Sequence, residues 1–239
     1  MIDNFRILAV IPARLGSKGL KQKNIKKLNG IPLITYSINS LKRSKFVDKI
    51  FVSTESKKIK KIVENCGLTI DFLRPKKLAL DRSKTFDVIK HVIIEMKKLG
   101  HLFDYVALIE PTSPIRKRKD IDNAISLLHE NRNKFDSVVS VGEISELPNL
   151  LKKIAKKDNK VVSAFPELKQ ISRRQDSEDY FFPYGVIYLS KTKTLLKEKT
   201  FYCNNTLAMK IDKFQCYEID HKNDLISVEA ILKAYSRYL

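Results

Sequence analysis

The sequence predicts an α/β chain built on a doubly wound, mostly parallel sheet. Three observations point there. Short runs rich in Ile, Val, Leu and Phe alternate with stretches whose apolar residues recur every three or four positions. The first run, Ile7–Ile11, is continuously apolar, as a strand covered on both faces must be, and it stops at Pro12. The loop that follows, up to Asn24, carries Gly16 and Gly19 among cations and leaves the strand end where open α/β sheets place their ligands.

After that loop, Pro32 fits the first turn of a helix carrying Ile34, Ile38 and Leu41. Lys49–Thr54 reads as the second strand. Ser56 caps a helix with Ile59, Ile62 and Val63 inward, and Gly67 ends it. Thr69–Leu73 reads as a third strand, leading into Arg74-Pro75. Thr85 caps a long helix with one stripe of Val88, Ile89, Val92, Ile93, Met96 and Leu99, closed by Gly100. Tyr105–Ile109 is a central strand, Asp120–Asn131 a helix with Ile121, Ile125 and Leu128 inward, and Ser137–Val141 the next strand. Repeated β-α units of this kind imply right-handed crossovers. The rhythm breaks between about 142 and 182, where Leu151–Ala164 resembles a hairpin turning at Asp158-Asn159 and Ile171–Tyr180 is polar and loop-like. Such a segment suits a lid or an oligomer arm. Tyr184–Leu189 resumes a strand, Leu207–Ile211 is a short one, and Leu225–Tyr235 closes the chain as a helix. The reading is one domain over residues 1–239 with an insertion at about 142–182.

At 239 residues and 43% hydrophobic content the chain can bury one sizeable core. It has no apolar run of transmembrane length and no charged-then-apolar leader, so a soluble cytoplasmic protein is expected. Three cysteines, Cys66, Cys203 and Cys216, without a C-x-x-C pair argue for buried thiols rather than a disulfide framework or zinc. The four histidines form no metal motif. The formal charge of +19 comes from lysines spread over helix faces, as in Lys57-Lys58-Ile59-Lys60-Lys61. Those runs lack interleaved aromatics for base stacking, so no nucleic-acid partner is expected.

The first loop can bind an anion. Glycines let backbone N–H groups approach, and Arg14, Lys18 and Lys23 add charge. Its spacing is neither G-x-x-x-x-G-K-[ST] nor G-x-G-x-x-G, which leaves a nucleotide loop of another type or an ordinary polar connection. The strand-end rule also singles out Ser17, Asn24, Arg74 and the proline-stiffened Glu110-Pro111-Thr112-Ser113-Pro114-Ile115-Arg116. In Glu218-Ile219-Asp220, alternation puts both acids on one face, an arrangement suited either to Mg²⁺ beside phosphates or to a solvated strand end.

These motifs together resemble the acylneuraminate cytidylyltransferase family, the bacterial CMP-sugar-acid synthetases. The resemblance runs over nearly the whole chain. It is carried by Ile11-Pro12-Ala13-Arg14, Gly16-Ser17-Lys18-Gly19, Lys23-Asn24, Leu73-Arg74-Pro75, Leu78-Ala79 with Asp81, and Pro111-Thr112-Ser113-Pro114 with Arg116. Tyr184–Tyr188 and Glu218–Asp220 match more loosely. The resemblance implies a nucleotide-diphospho-sugar-transferase-like fold, CTP and a nonulosonic sugar acid as substrates, Mg²⁺ as cofactor and a homodimer with the inserted arm at its interface. It implies that Arg14, Ser17, Lys23 and Asn24 hold the CTP phosphates, with Lys18 beside them. Arg74 and Ser83 would contact the nucleotide, and Glu110, Thr112 and Ser113 would border the substrates. Asp220, with Glu218, would carry the metal, and Arg174 would lie near the sugar or the subunit interface. Arg14, Lys23 and Asp220 would be the catalytic set.

Two departures bear on the acceptor. Glu110 stands where relatives acting on sialic acid carry Gln, and Phe182 and Tyr184 stand where they tend to show Arg and Asn. A carboxylate there repels a sugar acid unless it meets a hydroxyl or an ammonium. This points to an acceptor other than N-acetylneuraminate, one bearing an amine or fewer acyl groups. The alternatives are transfer to 3-deoxy-manno-octulosonate or another sugar on the same fold, a synthetase that binds CTP without turnover, and a basic nucleic-acid-binding module.

Overall fold

The computed structural model describes residues 2–168 and 178–238. Its centre is a six-stranded sheet of β1 (Ile7–Pro12), β4 (Lys49–Ser53), β5 (Tyr105–Leu108), β6 (Ser137–Glu143), β9 (Phe181–Lys191) and β10 (Thr206–Lys210). The spatial order is β10-β6-β9-β5-β1-β4. β1 pairs parallel with β4 and β5, and β6 parallel with β10. β9 runs antiparallel between β5 and β6, so the sheet is mixed but mostly parallel. Short pairs β2 (Lys27–Leu28) with β3 (Ile31–Pro32), and β7 (Lys152–Ile154) with β8 (Val161–Ser163), lie outside it.

β1 is central because it can be: Ile7, Leu8, Ala9, Val10 and Ile11 are all fully buried, as a strand with helices on both faces requires. The flanking helices are α1 (Leu33–Lys42), α2 (Lys57–Asn65), α3 (Thr85–Lys98) and α4 (Asp120–Glu130). In α2 the Ser56 hydroxyl accepts from Ile59 N at 3.3 Å, the cap that the sequence predicts, and Gly67 takes the left-handed turn after it. The inward stripes of these helices close one core with the sheet. Burying a side chain of this kind contributes about 1.5–3 kcal/mol.

A second, smaller cluster matters more to the site. Leu28, Leu33 and Ile115 pack with Ile219 and with Leu225, Val228 and Leu232 of α6 (Lys222–Ala234). This cluster fixes the closing helix, and with it Asp220, against the loop after β1.

Three readings are corrected. Thr69–Leu73 is not a strand: Ile70 is buried and Phe72 stacks on Phe51 at 4.4 Å, but β4 remains the edge of the sheet. Arg74 N to Thr54 O, at 2.8 Å, is a single bond past the end of β4 rather than a ladder. The helix after Ser83 begins at Thr85, and its N-cap is Lys84. A seven-residue helix, α5 (Thr192–Glu198), follows β9 where none was expected. The hairpin turns as predicted, with Asn159 in the left-handed region at φ 55°. Cys203 is buried, Cys66 and Cys216 are half-buried, and all three are unpaired. Among the described residues no helix is long and apolar enough to cross a membrane.

Candidate active site

The carboxyl ends of β1 and β5 open into a cleft of about 500 Å³. One wall is the loop after β1, which braces itself. Ser17 Oγ donates to Leu20 O at 2.6 Å and accepts from Lys23 N at 3.1 Å, and Asn24 Nδ2 donates to Arg14 O at 2.9 Å. These two side chains therefore shape the loop, and its cations face the cleft. Arg14 donates to Asp81 Oδ1 at 2.5 Å, and Lys18 lies 3.2 Å from Asp81 Oδ2. Hydrogen bonds from Arg14 and then Lys18 hold the Asp81 carboxyl below its ordinary range. Without an anionic ligand, this acid is the counter-charge of the loop.

Across the cleft, Lys23 Nζ meets Asp220 Oδ1 at 2.6 Å. The Lys23 side chain is 17% exposed and that of Asp220 62%, so the pair borders open space on the acid's side. Ile219, buried in the small cluster, aims its neighbour outward, and Ile219 N to Thr112 O at 2.8 Å ties the segment to the loop after β5. Asp224 accepts from the backbone N–H of Asp220 and His221 and so caps α6. The loop packs hard against this turn: a Cβ on Gly19 would lie 2.6 Å from Asp220 O.

Another flank mixes charge with apolar surface from Leu78, Leu80 and Val88. Arg74 is buried and pairs with Glu55 at 3.0 Å, and the other Glu55 oxygen accepts from Leu15 N at 2.8 Å. Burial pushes the Arg74 pKa down and the Glu55 pair opposes that. Ser83 Oγ donates to Lys77 O and accepts from Leu80 N, which shapes the turn before α3.

On the remaining side, Glu110 and Thr112 line the cleft. Desolvation by burial, then the neighbouring Glu218 charge, push the Glu110 carboxyl up to about 7. Gly185 lets it sit there: a Cβ on Gly185 would lie 2.4 Å from Glu110 Oε2. Beneath, Arg116 is fully buried. It donates to Val186 O at 2.8 Å, Gly185 O at 2.8 Å, Glu110 O at 2.5 Å and Ser37 Oγ at 3.1 Å. Desolvation lowers its pKa to about 9, yet it stays charged at neutral pH. It joins the loop after β5 to β9.

The cleft thus gathers Arg14, Ser17, Lys18, Lys23, Asn24, Arg74, Ser83, Glu110, Thr112 and Asp220. Two expected residues sit elsewhere. Ser113 is fully buried and donates to Glu218 Oε1 at 3.1 Å, and the same oxygen accepts from Gly185 N at 3.2 Å. Glu218 thus braces β9 behind the cleft wall. The expected pairing of Glu218 and Asp220 on one face of a strand is therefore corrected: residues 218–220 are not a strand, and the two acids part. Arg174 lies outside the described residues. No cluster of three or more His, Cys, Asp or Glu able to hold a metal exists among the described residues. The sequence reading assigned no role to Glu55 or to the buried Arg116. Glu55 follows the second strand directly, so the strand-end rule reaches it.

A mixed, mostly parallel sheet whose carboxyl edge sets a basic glycine loop opposite an acid is of the nucleotide-binding α/β class. The family model described as cytidylyltransferase matches residues 8–235, and the chain belongs to that family. It is 34% identical over 230 residues to the CMP-N,N'-diacetyllegionaminic acid synthase of Legionella pneumophila, covering 95% of this chain and 97% of that one. It is 32% identical over 220 residues to the N-acylneuraminate cytidylyltransferase of Escherichia coli, covering 92% of this chain but 50% of that protein. The fold matches a solved CMP:2-keto-3-deoxy-manno-octonic acid synthetase complexed with CTP. That likeness has a TM-score of 0.70 at 17% identity and covers 96% of this chain and 99% of the other.

Proposed function

We propose that the chain transfers the cytidylyl group of CTP to a nonulosonic sugar acid and releases pyrophosphate. The observation that carries the reading is the cleft in which Arg14, Lys18 and Lys23 face Asp220. The names of the legionaminic and neuraminic relatives support the acceptor class. In the reaction the anomeric hydroxyl of the acid attacks the α-phosphorus of CTP, the α–β phosphoanhydride bond breaks, and the hydroxyl proton is given up to water. The loop cations bind the triphosphate and stabilise the charge that collects on the leaving pyrophosphate. Arg14 and Lys18 exchange Asp81 for phosphate oxygens. The leading task of the protein is to hold the reactants in line, and no residue forms a covalent intermediate.

The residues present fit a magnesium ion held jointly with the nucleotide. Asp220 offers an exposed carboxylate with one protein partner, and Mg²⁺ commonly takes one or two carboxylates together with substrate phosphates. Asp220 would hold the ion, and Glu218 would act from behind through its contacts with Ser113 and Gly185. When bound, the ion supplies positive charge to the phosphates.

An acceptor other than N-acetylneuraminate is the reading that Glu110 supports, since an acid borders the cleft where a sugar acid must enter. The hairpin of β7 and β8 supports an oligomer arm. Ile154 is 70% exposed and Val161 69%, which is apolar surface suited to a second copy of the chain. Use of CTP would place the enzyme in the cytoplasm.

The test is pyrophosphate release with each nucleoside triphosphate against N-acetylneuraminate, N,N'-diacetyllegionaminate, a free-amine analogue and 3-deoxy-manno-octulosonate, with and without EDTA. Release with CTP and a nonulosonic acid, lost in EDTA, is the expected outcome. Preference for 3-deoxy-manno-octulosonate would move the acceptor class. No release, together with steep salt-dependent oligonucleotide binding, would replace the reading altogether. Turnover of N-acetylneuraminate as fast as any other acid would remove the special role of Glu110.

A further inference from the structure

We propose that the end of the sheet opposite the cleft carries a second ligand site, which takes a small anion with an apolar body. A cavity of about 770 Å³ lies where β1 and β5 begin and β9 ends. Its floor is apolar: Ile93 of α3, Leu102 and Phe103 of the following loop, Val106 of β5 and Leu196 of α5. Leu102 is 63% exposed, so this surface meets water when nothing occupies it. Ligand pockets in general have about this volume and a largely apolar lining with a few convergent polar groups.

The rim fixes the sign of the ligand. Arg6, Lys97, Arg132 and Lys193 line the cavity, and none has a carboxylate partner among the described residues. Two of these cations are positioned by aromatic rings. The Arg6 guanidinium lies 5.1 Å from the Phe103 ring centroid, and that of Arg132 lies 5.8 Å from that of Phe5. The one acid in the lining, Asp104, accepts from the backbone N–H of Arg6 at 2.8 Å, and the cations outnumber its charge. A fifth cation of the lining, Lys191, is neutralised by Asp136 at 2.6 Å. Thr192 also belongs to this lining. Four cations without a carboxylate partner, of which Arg132 also donates to His129 O at 2.7 Å, surround the apolar floor and match one negative group on an aryl or alkyl body. A bare inorganic anion would leave the floor wet, and a neutral apolar molecule would leave the cations unused.

The probe is 8-anilinonaphthalene-1-sulfonate, titrated by fluorescence into the full chain, with N-phenyl-1-naphthylamine as its neutral counterpart. The expected result is saturation at one probe per chain, with the neutral counterpart at least tenfold weaker. Dodecanoate displaces the probe, inorganic phosphate at the same concentration does not, and saturating CTP leaves it bound. The Lys97→Glu/Lys193→Glu variant weakens the probe at least tenfold, with circular dichroism and melting temperature as the check on folding. Leu102→Asp, a single exposed position, weakens it as well. Displacement by CTP, equal affinity for the neutral counterpart, equal displacement by phosphate, or unchanged affinity in either folded variant would overturn the proposal.

Discussion

Replacing Glu110 with Gln should stabilise the protein at high pH and leave it unchanged in acid. The carboxyl is buried beside Glu218, which moves its pKa from the ordinary 4.5 to about 7. Below the ordinary value it is protonated in both the folded and the unfolded chain and contributes nothing to the pH dependence. Between 4.5 and about 7 the unfolded chain gives up the proton while the native state keeps it. Native protein then binds more protons, so stability falls as pH rises through this window. Above it the full cost is present, about 3 kcal/mol at about 1.4 kcal/mol per pKa unit. Gln keeps the shape without the charge. At pH 8.5 the Glu110→Gln protein should be more stable by about 2–3 kcal/mol, which is a rise of roughly 5–10 °C in melting temperature for a chain of this size. At pH 4 the difference should shrink below about 0.5 kcal/mol. Urea titrations at both pH values, in EDTA and without nucleotide, measure it. An equal difference at the two pH values, or a loss of stability at pH 8.5, would refute the burial argument.

Arg116→Met strips the donors from three carbonyls and from Ser37 and should cost about 3 kcal/mol in urea denaturation. Arg116→Lys should recover less than half, because an ammonium cannot reproduce the planar fork. Gly185→Ala places a methyl 2.4 Å from Glu110 Oε2 and should cost about 1–3 kcal/mol; kinetics should show a raised KM for the acid with the KM for CTP unchanged. Lys23→Ala and Asp220→Ala should each lower kcat roughly a hundred- to thousandfold, the scale of one preorganised electrostatic contact, in a pyrophosphate-release assay with melting temperature as control. Near wild-type rates would remove both residues from the chemistry.

The fold was legible where burial and pairing coincide. Ile7–Ile11 is covered on both faces and could be little else than a central strand. Thr69–Leu73 shows why pattern can mislead: Ile70 and Phe72 alternate because they pack inward, and alternation reports burial, not a hydrogen-bonded neighbour. The direction of β9 was not legible, since strand residues read alike in either direction and the connection of residues 144–180 is long enough for both. Helix α5 buries one side chain, Leu195, too little to make a period. In the cleft, glycine spacing and strand ends marked the loop and Glu110, while Asp220 was reached through its acid pair with Glu218 and the family resemblance. The burial of Ser113 and Arg116 depends on how β9 inserts beside β5, which residue spacing does not encode.

The central claim is that the loop after β1 grips the triphosphate of CTP opposite Asp220. A crystal structure with CTP and Mg²⁺ tests it most directly. The account predicts phosphate oxygens on the Gly16–Gly19 backbone and on Lys23, Arg14 turned from Asp81 toward phosphate, and the ion on Asp220. A triphosphate bound away from that loop, with the Lys23–Asp220 and Arg14–Asp81 pairs intact, would contradict it.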